Sequence, residues 1–337
     1  MPRLSLSVTT DALRLAQPFR ISGYVFETAD VLVVELDDGT YRGRGEAAGV
    51  YYMGDDLPHM REAIEGARKA IEAGPTREAL RALLPPGGAR NAVDAALWEL
   101  EAARTGQPVW RLAGLEAAPR PIVTTFTISA DEPEAMASVA RGYRAARSIK
   151  VKLTGELELD LRRVAAIRVA RPDVWLGVDG NQGFARADLD ALVRGLGEHR
   201  VALLEQPLKR GEEGLLDGYR SAVPIAGDES LLSLDDLTQA KGRFDVVNIK
   251  LDKCGGLTEG LMMAAEARRQ GLGVMVGTMI GTSLATAPGF VLGQLADLVD
   301  LDGPTFLADD RTPSVTYTDG TLFVRPEVWG TREAAAR

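Results

Sequence analysis

VWLGVDGNQGFARADLDALVRGLGEHRVALLE, residues 174–205, holds the unit from which the rest of the chain can be read. Val174 to Asp179 is a short apolar strand that finishes on a carboxylate. A helical segment follows, and Val201 to Glu205 is a second apolar strand that also finishes on a carboxylate. A strand, a crossover and another strand make a βαβ unit with its two strands parallel in one sheet. The same alternation recurs in both directions: further strands are predicted at Ile122 to Thr127, Ser148 to Leu153, Val223 to Asp228, Val246 to Lys250, Val274 to Thr278 and Leu298 to Asp302. Eight such strands at an interval of roughly 25 residues predict a closed (β/α)8-type barrel rather than an open sheet, which usually has fewer strands.

Upstream the pattern changes. Val31-Leu32-Val33-Val34-Glu35-Leu36, the turn Asp37-Asp38-Gly39-Thr40 and Tyr41 to Glu46 read as strand, turn, strand. Asp55 or Asp56 is placed to cap a helix running through the seventies and Thr76 to cap a second. Asn91 opens a third, which carries Val93, Ala96, Leu97 and Leu100 and stops near Gly106. This is an α+β unit ending near residue 115. Beyond residue 310, the alternating Leu322-Phe323-Val324 comes too late for the barrel and is expected to return to the N-terminal unit.

Composition narrows the partners. The chain has 337 residues, 45% of them apolar, and a formal net charge of −9, so it can fill a sizeable core and offers no basic cluster to nucleic acid or an anionic membrane. A small-molecule partner is expected instead. Met1-Pro2-Arg3 leads into alternating Leu4 to Val8 rather than an apolar signal core, and no apolar run is long enough for a bilayer. A soluble, cytoplasmic protein is the expectation. Cys254 is the sole cysteine and His59 and His199 the sole histidines, which excludes an internal disulfide and argues against a zinc site of cysteines or histidines.

In a barrel of this kind, chemistry sits at the carboxyl ends of the strands. Here strand two ends Lys150-Val151-Lys152, strand three at Asp179, strand four at Glu205, strand five at Asp228, strand six at Lys250 and strand eight at Asp300-Leu301-Asp302. Any one of these alone reads as a solvated rim group or a helix cap. Their conjunction reads differently. Asp179, Glu205 and Asp228 fall on consecutive strands, and carboxylates that close repel and raise one another's pKa unless a cation joins them. A hard divalent ion with oxygen ligands does so. Magnesium, with manganese as the alternative, suits a site that keeps positions for water and substrate oxygens.

Lys152 and Lys250 lie four strands apart in an eight-membered ring, so they face each other across the barrel mouth. One can take a proton from one side of a carbon while the other returns a proton to the opposite side. Lys150 shares a strand face with Lys152, and this second positive charge is expected to lower a lysine's pKa toward the operating pH. A proton α to a carboxylate is weakly acidic, and the cation and Lys150 would stabilise the enediolate left when it departs. Asp300 and Asp302, on the strand opposite the fourth, suit a cationic group at the far end of a substrate; solvation of the loop before Gly303-Pro304 is their other reading.

Five ordered motifs now stand together: Lys150-Val151-Lys152, Val178-Asp179-Gly180-Asn181, Leu204-Glu205-Gln206-Pro207, Gly227-Asp228-Glu229-Ser230 and Asn248-Ile249-Lys250-Leu251-Asp252-Lys253. With Ala92-Val93-Asp94-Ala95-Ala96-Leu97-Trp98 and Gly106-Gln107-Pro108-Val109-Trp110, they resemble the muconate-lactonizing subgroup of the enolase superfamily over nearly the whole chain. The resemblance implies an α/β fold: a (β/α)7β TIM-like barrel over residues 116–310, an α+β capping domain over 1–115, and a C-terminal segment, 311–337, that rejoins the cap. It implies Asp179, Glu205 and Asp228 as magnesium ligands and Lys152 and Lys250 as the acid/base pair.

Within the subgroup, the Asp-x-Asp of strand eight resembles that of dipeptide epimerases of the L-Ala-D/L-Glu type, in which the pair binds the substrate's α-ammonium group. The stretches Asp297 to Pro304 and Gly277 to Ser283 are similar as well. The implied activity is inversion of the α-carbon of a dipeptide's C-terminal residue by two-base 1,1-proton transfer. Besides Asp300 and Asp302, the candidate substrate contacts are Tyr24, Thr127 and Met279.

The chain also departs from that pattern. Where enzymes acting on Ala-Glu carry an arginine in the loop after Pro18-Phe19, it has Ser22-Gly23-Tyr24. The second cap loop, Gly49-Val50-Tyr51-Tyr52-Met53-Gly54, has no arginine either. A neutral or hydrophobic side chain is therefore expected on the epimerised residue. An N-acylamino acid racemase or o-succinylbenzoate synthase of the same subgroup would share the metal and lysines without needing two acids for an ammonium group. A Schiff-base lysine aldolase on a similar barrel would have no use for three adjacent carboxylates. The expected partner is a small dipeptide substrate, with a homo-oligomer as the further possibility.

Overall fold

Long antiparallel pairing builds the N-terminal unit, in which β1 (Ser5–Ile21), β2 (Tyr24–Asp37) and β3 (Arg42–Ala47) lie side by side in chain order. The structure is a computed structural model that describes residues 3–330. The turn expected at residues 37–40 joins β2 to β3, and Asp37 and Asp38 close it by accepting the backbone amides of Gly39, Thr40 and Tyr41. Of the loop expected after Phe19, Ser22 and Gly23 form a two-residue turn and Tyr24 already opens β2. β1 and β2 run on as a two-stranded arm in which Phe19 pairs with Phe26 and Ile21 with Tyr24.

Three helices cover this sheet. The side chain of Asp56 caps α1 (Leu57–Glu72) and that of Thr76 caps α2 (Arg77–Leu83). α3 (Gly88–Thr105) begins ahead of Asn91 and ends at Gly106 in the left-handed conformation. Asp55 is not a cap; it accepts the Gly88 amide at 2.7 Å.

The contact between β3 and α3 depends on two glycines. A Cβ on Gly45 would meet the carbonyl oxygen of Ala92 at 2.0 Å, and one on Gly43 that of Ala96 at 2.0 Å. Backbone cannot yield as a flexible side chain does. Gly45→Ala is therefore expected to destabilise the protein by about 1–3 kcal/mol, read as a lower midpoint in urea unfolding. An unchanged midpoint would show that the helix can shift freely off the sheet.

Eight parallel strands follow in chain order: β5 (Thr125–Ile128), β6 (Ser148–Lys152), β7 (Trp175–Asp179), β8 (Leu203–Glu205), β9 (Ile225–Gly227), β10 (Val246–Lys250), β11 (Gly273–Gly277) and β12 (Leu298–Asp300). The register pairs Lys152 with Asp179, Asp179 with Glu205, Lys250 with Gly277 and Gly277 with Asp300. The charged strand ends consequently sit level around one rim. Two crossovers expected to be helical contain only short 3₁₀ turns, Glu213–Leu216 and Asp235–Gln239. Gly211, Gly214 and Gly218 lie in the first of these crossovers, between Pro207 and Pro224, a composition that does not sustain a helix.

The first expected strand, residues 122–127, is divided. Its opening residues form β4 (Ile122–Val123), which pairs not with the barrel but with the C-terminal hairpin of β13 (Thr316–Thr318) and β14 (Thr321–Phe323). The segment expected to return to the N-terminal unit thus pairs first beside the barrel. The C-terminal segment reaches the cap on either side of the hairpin: Arg311, ahead of it, bonds Glu46 and Asp11, and Trp329, beyond it, donates Nε1 to the Arg44 carbonyl at 3.0 Å.

Polar contacts tie cap to barrel. Arg90 meets Glu259 at 2.7 Å, and Asp94 accepts from the amide and hydroxyl of Thr258. The buried Glu46 accepts from the Thr282 amide at 2.8 Å, the Thr282 hydroxyl at 2.7 Å and Arg311 Nε at 2.8 Å. That clamp fixes the start of the helix Ser283–Gly293, which follows the loop carrying Met279.

Candidate active site

The carboxyl ends of the strands open into a cavity of about 650 Å³ roofed by the arm of β1 and β2. Lys150, Lys152, Lys250, Asp228, Asp300 and Asp302 all line it, as do Thr127 and Met279. Asp179 and Glu205 lie beneath, fully buried. The strand alternation explains this set: Lys150 and Lys152 are two residues apart and share the inward face of β6, as Asp300 and Asp302 share an inward face at the end of β12.

One oxygen each from Asp179, Glu205 and Asp228 lies within 4.8 Å of the others. Burial and the neighbouring charge of Asp179 push the Glu205 carboxyl above the usual range. Around the triad, Asn181 Oδ1, Glu229 Oε2 and Asn248 Oδ1 are buried acceptors with no donor among the described residues. Asn248 turns its amide nitrogen to Glu205 at 2.7 Å. A cluster this rich in oxygen acceptors fits a hard, hydrated divalent cation, which would join the carboxylates and offer its water hydrogens to the orphaned acceptors.

The ammonium groups are held against these acids. Lys152 donates to Asp179 at 2.7 Å and Lys250 to Asp228 at 2.6 Å. Lys150 pairs with Asp300 and lies 3.3 Å from Glu205. At Lys150 the neighbouring charge of Lys250 does act to lower basicity, but it does not set the direction. Burial lowers the pKa of Lys150, but the carboxylates of Asp300, Glu205 and Asp179 outweigh it and hold the group above its ordinary value. Lys250 is raised in the same way, its burial outweighed by Asp228 first and then by Glu205. The carboxylates gathered around each ammonium group decide the direction.

Asp300 and Asp302 are separated by their surroundings. Burial disfavours the charge of Asp300, yet Lys150 brings its carboxyl below the usual value. Asp302 has no such partner, so burial and the adjacent Asp300 push it up. A cation entering beside Asp302 would reverse that shift.

Several contributors were not identified from the sequence. Lys253, buried, donates to both the side chain and the carbonyl of Asp228, at 2.5 and 2.6 Å. Gln206 accepts the amides of Asp228 and Ser230 through its side-chain oxygen. It, Asn181 and Gln182 all have positive φ. Such conformations cost a non-glycine residue on the order of 1 kcal/mol or more. Here the pairing of Gly180 with Glu205 and of Gln182 with Gln206, both at 2.8 Å, holds them in place. Asn181, Gln206 and Lys253 stand inside the motifs quoted above, but their spacing alone assigned them no role.

Tyr24 is not brought to the cavity. It stands at the turn of the arm, 46% exposed, with its ring against Tyr51 at 4.6 Å. Val25 and Phe26 line the cavity instead. Met53 is also outside, against Arg210, while Tyr51 and Tyr52 line the wall. Arg20, the arginine of the arm, faces a shallow groove on the outer side. Lys150, Lys152 and Lys250 are the only cationic residues lining the cavity among those described.

Comparison with known proteins agrees with this geometry. The family model for the mandelate racemase/muconate lactonizing enzyme N-terminal domain matches residues 3–114, and that for the enolase C-terminal domain-like fold matches residues 132–327. The L-Ala-D/L-Glu epimerase of Escherichia coli is 38% identical over 320 residues, covering 94% of this chain and 99% of that one. A hydrophobic dipeptide epimerase of Roseobacter litoralis is 34% identical, covering 90% and 91%. The solved structure of a dipeptide epimerase from Enterococcus faecalis, complexed with Mg and the dipeptide L-Leu-L-Tyr, superposes with a TM-score of 0.85 at 26% identity, covering 99% and 98%.

Proposed function

The chain belongs to the mandelate racemase/muconate lactonizing enzyme family, and from that premise we propose that it is a magnesium-dependent dipeptide epimerase, an isomerase that inverts the α-carbon of the C-terminal residue. One observation carries the reading. Lys152 and Lys250, on strands four apart, line the same cavity, with the carboxylate triad at the ends of the strands between them and Asp300 and Asp302 at the end of β12.

Asp179, Glu205 and Asp228 would hold the ion. When bound, magnesium supplies positive charge where the substrate's carboxylate gains negative charge as the α-proton leaves. Lys152 and Lys250 serve the two faces of that carbon, one removing the proton and the other delivering one. Lys150, kept cationic by its acid partners, adds charge to the same region. Asp300 and Asp302 receive the substrate's ammonium group. The arm and the loop holding Tyr51 and Tyr52 form the cap side of the substrate cavity.

The preferred substrate has a neutral, hydrophobic side chain on the epimerised residue. Phe19, Ile21, Phe26, Ile280 and Phe306 furnish apolar wall, and no arginine accompanies them. Desolvating an unpaired carboxylate costs several kcal/mol. Kinetics on L-Ala-L-Leu, L-Ala-L-Phe, L-Ala-L-Lys and L-Ala-L-Glu are the test. L-Ala-L-Leu or L-Ala-L-Phe is expected to exceed L-Ala-L-Glu in kcat/KM by at least about tenfold. Because Glu27 and Asp30 also line the cavity, the lysine dipeptide is the second competitor, and first place for either charged substrate would defeat the preference proposed.

A further inference from the structure

Backbone hydrogen bonds run unbroken from β5 to β12, yet among the described residues no ladder joins β12 back to β5. Side chains close the seam. Thr124, fully buried, accepts the Leu301 amide at 2.9 Å and donates to the Val299 carbonyl at 3.4 Å. The Thr125 hydroxyl donates to Asp300, and the Thr127 amide donates to Asp302 Oδ2 at 2.6 Å. Tyr317, on β13, reaches in from outside and donates its hydroxyl to the Leu301 carbonyl at 2.7 Å. Its ring packs edge-on against Phe126 with centroids 5.9 Å apart.

Leu301 lies between the two acids, and both of its backbone polar groups are held by side chains: Thr124 takes the amide and Tyr317 the carbonyl. In a paired strand a neighbouring backbone would hold both. Successive side chains alternate in direction, so the setting of the Leu301 backbone decides whether Asp300 and Asp302 project into the cavity together. The amide and the side chain of Thr127 both hydrogen-bond the Asp302 carboxylate, and neither bond holds a backbone group of Leu301.

We propose that Thr124 and Tyr317, neither of them in the cavity wall, are positioning residues for recognition of the substrate's ammonium group. They hold Leu301 so that the two acids converge on one cation. The inference rests on the functional reading above. It gives the C-terminal hairpin a part in substrate binding: the Tyr317 hydroxyl takes the place of the backbone amide that would donate to Leu301 in a paired strand. A hydroxyl in this place matters more than one on an ordinary strand, because no backbone pairing stands in reserve.

Tyr317→Phe removes one hydroxyl and keeps the ring on Phe126. Thr124→Val keeps the shape and removes the contact from the other side. Each is expected to raise KM for L-Ala-L-Leu about two- to tenfold with kcat nearly unchanged. The inhibition constant of propionyl-L-leucine, the same molecule without its amine, should stay at the wild-type value. A role confined to barrel stability would instead lower the thermal midpoint and move both ligands together. Wild-type KM in folded Tyr317→Phe overturns the proposal, and so does a parallel rise for propionyl-L-leucine. A wild-type enzyme that epimerises no free dipeptide is a separate result, obtained first, which removes the functional reading and this inference with it.

Discussion

Lys152→Ala and Lys250→Ala are each expected to lose epimerisation by about a thousandfold or more, since a positioned acid/base group contributes on the order of 10²–10⁴ and inversion needs one on each face. The two variants should not be equivalent toward hydrogen exchange. With one lysine left, the enzyme can still remove and restore the proton on the face that lysine serves. In deuterated buffer each variant should label the α-carbon of one stereoisomer, and the two variants should label opposite stereoisomers. Mass detection combined with chiral separation reads both effects. Labelling of the same stereoisomer by both variants, or full epimerisation by either, would end the two-base assignment. A lysine that served only to neutralise the buried acids gives a different pattern, because its loss would suppress exchange of both stereoisomers alike.

That assignment could be approached from the sequence because strand ends are a narrow target. A short apolar strand that closes on one charged residue, as at Asp179, Glu205 and Lys250, leaves little choice about which side chain meets the rim, and the observed register sets these ends level. Tyr24 was not legible in the same way. Its direction follows from where a hairpin of two long strands turns, and a shift of one residue sends every side chain to the opposite face. Thr124, Tyr317 and Lys253 were missed for another reason. They work on residues brought close only by barrel closure or by packing, and no local periodicity marks such a contact. The charge balance at Lys150 also depends on three-dimensional counting: neighbouring lysines are visible in the sequence, but the convergence of Asp300 and Glu205 on the same ammonium group is not.

Removal of divalent cations with a chelator should lower turnover by about a thousandfold or more, because the charge supplied at the substrate's carboxylate is worth several kcal/mol in the transition state. Magnesium or manganese should restore it. The three acids have no exposed surface, so water cannot screen their repulsion as it does for surface carboxylates. Asp228→Asn tests the site by a reading other than activity. Asp228 pairs with Lys250 at 2.6 Å and with Lys253 at 2.5 Å, so the amide would remove a cation ligand's charge and also leave two buried ammonium groups short of a partner. Magnesium affinity measured by calorimetry should fall at least about tenfold, and the rise in thermal midpoint that saturating magnesium gives the wild-type protein should shrink accordingly. Wild-type turnover that persists in buffer shown by elemental analysis to be free of divalent metal would rule out the triad as the ion's site. Equal magnesium affinity in Asp228→Asn would remove Asp228 from it, and the remaining two carboxylates, with Lys150 and Lys152 close to them, would then read as a buried ion-pair network rather than a metal centre.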